Sequence, residues 1–184
     1  MDSGWRRSNF LLACSLVLCF STKVYAEELP QNFDLIQPIS HQTQQVKSQK
    51  TKQNPNTQLL NAQLLIASQN GNIKEVRSLI SQATDVNVRD EYGWTPILWA
   101  AMNGHTDVVR VLLVSGATPN TRNKYGWTPL MWAAGQGYSE IVRSLIASGA
   151  RLNAQDRNGW TAMMWAWDGN HQETVAILRN VAND

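Results

Sequence analysis

Few residues of this 184-residue chain are of types that carry out reactions. There are three histidines, His41, His105 and His171. His41 stands in a Gln-rich stretch, and the other two each follow a Gly or Asn at the start of an apolar helical pattern. Tyr138 and Asn72 hold the same place elsewhere in the chain, which suits a structural residue at a helix start better than a proton-transfer group. No Ser, His and acid set, no metal-ligand spacing and no phosphate-binding glycine loop is visible. Asp90, Asp107, Glu140, Asp156 and Glu173 fall in loops or first helical turns, where a carboxylate favours the helix dipole. Both cysteines, Cys14 and Cys19, lie in an N-terminal apolar segment, so neither a disulfide framework nor a CxxC motif is present beyond it. The chemistry is therefore that of contact rather than catalysis, with no cofactor and no metal implied. It rests on the tryptophans.

Eight tryptophans occur, and six of them come in pairs within one repeated string: GWTPILWAA (93–101), GWTPLMWAA (126–134) and GWTAMMWAW (159–167). The step is 33 residues, and a fixed period decides the architecture before local propensity does. The same step relates Gly104, Gly137 and Asn170, the valines 109, 142 and 175, the leucines 112, 145 and 178, and Asn120 with Asn153. One step upstream, Ala67, Gly71, Val76, Leu79 and Asn87 mark a degenerate first copy. Four units follow: 58–90, 91–123, 124–156 and 157–184.

Each unit reads as helix, turn, helix, loop. Thr95 and Thr128 are expected to cap a helix through the side-chain oxygen, with Pro96 and Pro129 at the first helical position, where the missing N–H costs nothing. Gly104, Gly137 and Asn170 suit a left-handed residue at the helix end. The first helix is then about two turns long. In the second, Val108, Val109, Leu112 and Leu113 make an apolar stripe opposite Asp107, Arg110 and Ser115. One stripe per hairpin cannot be buried alone, so the units must stack.

Residues 92–120 (YGWTPILWAAMNGHTDVVRVLLVSGATPN) and 125–153 (YGWTPLMWAAGQGYSEIVRSLIASGARLN) resemble the ankyrin repeat, with its Gly-x-Thr-Pro-Leu-His-x-Ala-Ala, Gly-His, Val-Val, Leu-Leu, Gly-Ala and Asn pattern. The resemblance covers residues 58–184 and implies an all-α solenoid of four stacked helix-turn-helix repeats joined by β-hairpin-like loops. One departure stands out: the His of Thr-Pro-Leu-His is Leu98, Met131 and Met164 here, so the polar tie it gives the family is expected to be missing. The outer units read as caps. Trp167 replaces the second Ala of the pair (Ala101, Ala134), and Arg179 and Asn180 turn the last surface polar. Asn61, Ser68 and Gln69 do the same for the first.

The N-terminus suggests export. Arg6 and Arg7 precede an apolar run from Phe10 to Phe20, and Val24-Tyr25-Ala26 offers a cleavage site, the pattern of a secretory signal peptide spanning 1–26. The run is short for a membrane anchor, which needs ~20 residues; Leu11-Leu12-Ala13-Cys14 resembles a lipobox but has little apolar sequence before it. Cleavage would remove Arg6, Arg7, Lys23 and Asp2, taking the formal charge from +2 to 0. A neutral chain with no basic stripe gives no case for nucleic acid or an anionic membrane as partner. Residues 27–57, rich in Gln, Lys, Ser, Thr and Asn, read as a flexible linker in which Phe33-Asp34-Leu35-Ile36 is the one apolar patch.

The resemblance implies binding of a protein partner through the concave side of the array, with the chain acting as a monomer. Trp94, Trp127 and Trp160 sit at the base of the projecting loops, beside tip residues that differ between copies: Glu91 and Tyr92, Lys124 and Tyr125, Arg157. Met102 and Asn103 end the first helix on the same side. These ten residues are the expected contact surface, and Trp99, Trp132 and Trp165 are expected to serve packing. The other uses considered are a cell-wall or glycan platform formed by the tryptophans, and a role in stress protection or as an effector, in the periplasm or outside the cell.

Overall fold

The computed structural model describes residues 55–182. The expected signal segment and residues 27–54 of the expected linker lie outside the described residues. The fold begins three residues ahead of the expected boundary, because Pro55 can open a helix as its first residue.

Eight helices are described and no strand among them: α1 (Pro55–Gln69), α2 (Ile73–Ser81), α3 (Pro96–Met102), α4 (Thr106–Val114), α5 (Pro129–Gly135), α6 (Ser139–Ala147), α7 (Ala162–Asp168) and α8 (Gln172–Ala182). The odd-numbered helices pack in one row and the even-numbered in a second, each helix touching its equivalent in the next repeat. Within each repeat the turn is made by a residue with positive φ, Gly71, Gly104, Gly137 and finally Asn170 at 59°, as the left-handed helix end requires.

The interior is a continuous column of aliphatic side chains. Leu64, Ile97 and Leu130 come from the first row and Val76, Val108, Val109, Leu112, Ile141, Val142, Leu145 and Leu178 from the second, all fully buried. Ala100, Ala101, Ala133 and Ala134 are buried too, which lets neighbouring helices approach closely.

The starts of the first-row helices depart from expectation at one point. Thr128 Oγ accepts the Met131 N–H at 3.3 Å and Thr161 accepts that of Met164 at 3.4 Å, but Thr95 makes no cap and its hydroxyl is buried without a partner.

Three polar devices join one repeat to the next. Asn87 Nδ2 donates to the Gly116 carbonyl while its Oδ1 accepts the Thr118 N–H, and Asn120 does the same with Gly149 and Arg151 at 2.9 and 2.7 Å. The imidazole Nε2 of His105 lies 2.9 Å from the Gln69 carbonyl oxygen, and that of His171 lies 3.0 Å from the carbonyl of Gly135. Each ring covers the turn glycine of the preceding repeat so closely that a Cβ at Gly71 or Gly137 would collide with it. A polar tie between repeats is thus present, carried by a different histidine from the one the chain lacks. On the outer row, Arg110 pairs with Glu140 and Arg143 with Glu173, exposed pairs worth little each.

At the front of the array this scheme closes on itself. Asn61 Oδ1 accepts the Asp85 N–H at 3.1 Å, the bond that Asn87 and Asn120 make to the following repeat.

Candidate partner-binding face

The loop between repeats is a finger organised by one side chain. Asp90 Oδ1 accepts the N–H groups of Tyr92 and Trp94, both at 2.9 Å, and Asp156 Oδ1 accepts those of Asn158 and Trp160. Asn123 does the same for Tyr125 and Trp127. Backbone bonds complete each finger, from Asp90 N to Trp94 O, Asn123 N to Trp127 O and Asp156 N to Trp160 O. Fingers are then joined to one another, Lys124 N to Tyr92 O and Arg157 N to Tyr125 O. Gly93 and Gly126 admit this closeness: a Cβ at either would lie 3.2–3.4 Å from the backbone of the next finger. Asp90 and Asp156 therefore serve the fingers rather than a helix dipole. Their common 33-residue register with Asn123 was the signal in the sequence.

From these rigid fingers and the helices beside them the tryptophans interleave. Trp94 stacks on Trp99 with centroids 4.6 Å apart and reaches Trp132 of the next repeat at 5.7 Å. Trp127 meets Trp132 edge-on at 4.7 Å and Trp165 of the following repeat at 6.4 Å, and Trp160 closes the series on Trp165 at 4.9 Å. Six rings from three repeats make one zigzag, in which one contact is stacked, two are edge-on and two are tilted. Trp165 Nε1 also donates to Asp156 Oδ2 at 3.2 Å.

The zigzag redistributes the expected contact residues. Trp94 is only 3% exposed, enclosed between Trp99 and Trp132, and Met102 is buried, so neither presents its side chain at the surface. Trp127 and Trp160 remain half-exposed. The second set divides as well, for Trp132 is 4% exposed while Trp99 and Trp165 are half-exposed. Four tryptophans, two from each set, thus reach the surface. Position in the repeat predicts the chain register of a ring, not whether its neighbour covers it.

Above them stand the finger tips. Glu91, Lys124 and Arg157 are exposed, as are Tyr92 and Tyr125. Tyr125 packs on Trp127 at 5.3 Å, and the Lys124 ammonium lies 6.0 Å from the Tyr92 ring centre. Asn103 is half-buried and spent on structure, its Nδ2 donating to the Gln69 and Trp99 carbonyls. Of the ten expected residues, Glu91, Tyr92, Lys124, Tyr125 and Arg157 are exposed on the linked fingers, Trp127 and Trp160 are half-exposed beside them, Asn103 lies at a helix end, and Trp94 and Met102 are buried. Among the described residues no group of three His, Cys, Asp or Glu side chains could hold a metal ion, and no helix is long and apolar enough to cross a membrane.

The 33-residue units, the two helix rows and the fingers have a counterpart among known families. Residues 39–123, 64–156 and 113–184 match the family model described as ankyrin repeats (3 copies). The chain belongs to the ankyrin-repeat family. No curated protein matches it. Ankyrin repeats are in general protein–protein interaction modules and are typically non-enzymatic. The ankyrin fold here keeps that family's stacking while replacing the Thr-Pro-Leu-His histidine with apolar residues. In the third repeat Met131 fills part of the gap, its sulfur accepting the Thr128 N–H at 3.4 Å.

Proposed function

We propose that this ankyrin-repeat chain is an exported, non-catalytic module that holds another protein against its concave face. The observation that carries the reading is the pairing of exposed tips with anchored aromatics. Tyr92 and Tyr125 offer large amphipathic rings on fingers whose backbones are fixed by Asp90, Asn123 and their cross-finger bonds. Rigid Tyr and Trp surfaces bind with little entropy lost on ordering, which is why they dominate binding hot spots. Tips of mixed charge, Glu91 against Lys124 and Arg157, supply specificity without a field that would draw nucleic acid. One chain carries the whole face.

Export rests on residues 1–26, whose charged start, apolar run and Val24-Tyr25-Ala26 close suit a signal peptide, and it places the module in the periplasm or outside the cell. A glycan platform is less favoured by the geometry. Sugar stacking needs an open aromatic face, and Trp94 and Trp99 spend theirs on each other.

Photocrosslinking from position 125 in cells, followed by identification of the attached molecule, tests the proposal. A specific protein adduct that disappears with Tyr92→Ala and Lys124→Glu supports it. Retention on cell-wall polymer instead, lost with Trp127→Ala, would favour the glycan reading, and turnover of a substrate by the purified chain would refute both.

A further inference from the structure

The ring contacts of the tryptophan zigzag converge on one residue. Trp99, Trp94 and Trp132 form one arm, with successive centroids 4.6 and 5.7 Å apart, and Trp132 meets Trp127 at 4.7 Å. Trp160 and Trp165 form the other, 4.9 Å apart, and Trp165 meets Trp127 at 6.4 Å. Trp127 then touches a third partner, the Tyr125 ring at 5.3 Å, and Tyr125 is 48% exposed at the tip of its finger. Packing asks only that rings fill space. It does not ask that both arms share one junction beside a surface phenol.

We infer that the zigzag is a one-electron conduit whose outlet is Tyr125, a use of the rings separate from holding a partner. Indole and phenol are the side chains of this face that lose one electron most readily, and rings in contact exchange an electron faster than they react with solvent. The direction follows from burial. A positive charge left on Trp94 or Trp132, each almost fully enclosed, lies away from water and is costly there, so an electron is drawn in from the half-exposed Trp127. Tyr125 gives up its electron last, because an exposed phenol releases its proton to water and the neutral radical that remains needs no solvation of charge. Tyr92 is a poorer outlet: the Lys124 ammonium 6.0 Å from its ring centre is attracted by the intact ring and would repel the oxidised one.

The chemistry is a radical transfer in which no bond of the backbone breaks. A one-electron oxidant such as the azide radical takes an electron from a half-exposed ring, Trp99 or Trp165, and leaves as azide. Trp165 suits entry, since its Nε1 donates to Asp156 Oδ2 at 3.2 Å and the carboxylate favours the indole cation. Each further step moves one electron toward the vacancy. The last leaves Trp127 whole and Tyr125 a phenoxyl radical, its proton taken by water, and any indole that had lost its N–H proton takes one back. A thiol or ascorbate in solution then returns one electron and one proton to Tyr125. Oxidation that begins among enclosed rings thus ends on a side chain that a solute can repair.

Pulse radiolysis of the full chain in azide solution, followed by transient absorption, tests the conduit. Trp5→Phe and Trp167→Phe first remove the two indoles that are not among its rings. The tryptophanyl signal should then decay, and the tyrosyl signal rise, in one first-order phase whose rate is independent of protein concentration. Tyr125→Phe keeps a ring on Trp127 but lacks the O–H, and should lengthen the tryptophanyl lifetime at least about ten-fold, the effect of about 1.4 kcal/mol on a barrier. Trp127→Phe, which removes the junction of both arms, should slow the transfer in the same way, and Tyr92→Phe should leave it unchanged. Circular dichroism of Tyr125→Phe matches the parent, because the residue is a surface tip. A lifetime indifferent to Tyr125→Phe would overturn the proposal. So would a decay rate proportional to protein concentration, or a tyrosyl signal that survives Tyr125→Phe and falls with Tyr92→Phe.

Discussion

Asn123→Asp gives the third finger the organising residue that Asp90 and Asp156 supply to its neighbours. Asn123 Oδ1 already accepts from Tyr125 and Trp127, which fixes its Nδ2 on the inward side, buried with no acceptor. A buried donor left unmade costs about 1–3 kcal/mol. An aspartate removes that donor, strengthens the two backbone bonds by making them charge-assisted, and places a second oxygen where Asp156 Oδ2 receives Trp165. The opposing cost is burial of a charge. Asp156 bears that cost at the same degree of burial, which bounds it. A net gain of about 1–2 kcal/mol is expected, equivalent to a rise in Tm of about 3–8 °C for a fold of this size. Urea unfolding followed by tryptophan fluorescence measures it. Asn123→Ala serves as the opposite control, since it strips the acceptor from two backbone N–H groups and should lose about 2 kcal/mol. The order Asp, Asn, Ala in falling stability is required; an Asp variant no more stable than wild type would refute the account of the finger.

The polar ties between repeats give a matched comparison: Asn120→Ala should cost about 1–2 kcal/mol in urea unfolding, while Asn153→Ala, the same residue without its bonds, should change stability by less than about 0.5 kcal/mol. His171→Ala, which removes the contact to the Gly135 carbonyl and uncovers Gly137, should lose about 1–2 kcal/mol, and a variant as stable as the parent would deny the imidazole its structural role. Ala134→Trp, which copies the last repeat's residue into an interior one, should cost about 3 kcal/mol or prevent folding, whereas Trp167→Ala should leave thermal stability nearly unchanged. N-terminal sequencing of the exported chain should begin at Glu27; a start at Cys14 or Met1 would overturn the signal-peptide reading.

The period made most of this architecture legible from the chain alone. Gly104, Gly137 and Asn170 announced the turns, Pro96 and Pro129 the helix starts, and Ala101 and Ala134 the close approach of neighbours. The two tryptophan sets were harder, because both keep the same step. Which ring is covered depends on the distance between a finger and the next repeat's helix, and that is how Trp94 came to be buried while Trp165 reached the surface. The histidines show the same limit. Their place at a helix start was readable, but the carbonyls of Gln69 and Gly135 lie 36 residues away and only stacking brings them near. Thr95 illustrates the reverse, a residue with the right type and place whose hydroxyl finds no partner.

The zigzag of rings changes how the array must come apart. In a linear stack each unit touches only its neighbours, so stability is divided between the units and the seams between them. Here the seams between the second, third and fourth units are stitched by Trp94 on Trp132 and Trp127 on Trp165. The first unit has no tryptophan and carries Asn61 and Ile66 in the corresponding places. Its seam is held by aliphatic contacts, by the Gln69 carbonyl that receives Asn103 and His105, by Asn87, and by the Arg89 guanidinium, which donates to the Arg122 carbonyl and Thr121 Oγ1. Under load or heat, residues 55–90 should peel away first and the remaining three units melt together. A chain tethered through its N-terminus would then yield at its attachment before it lost the face that binds.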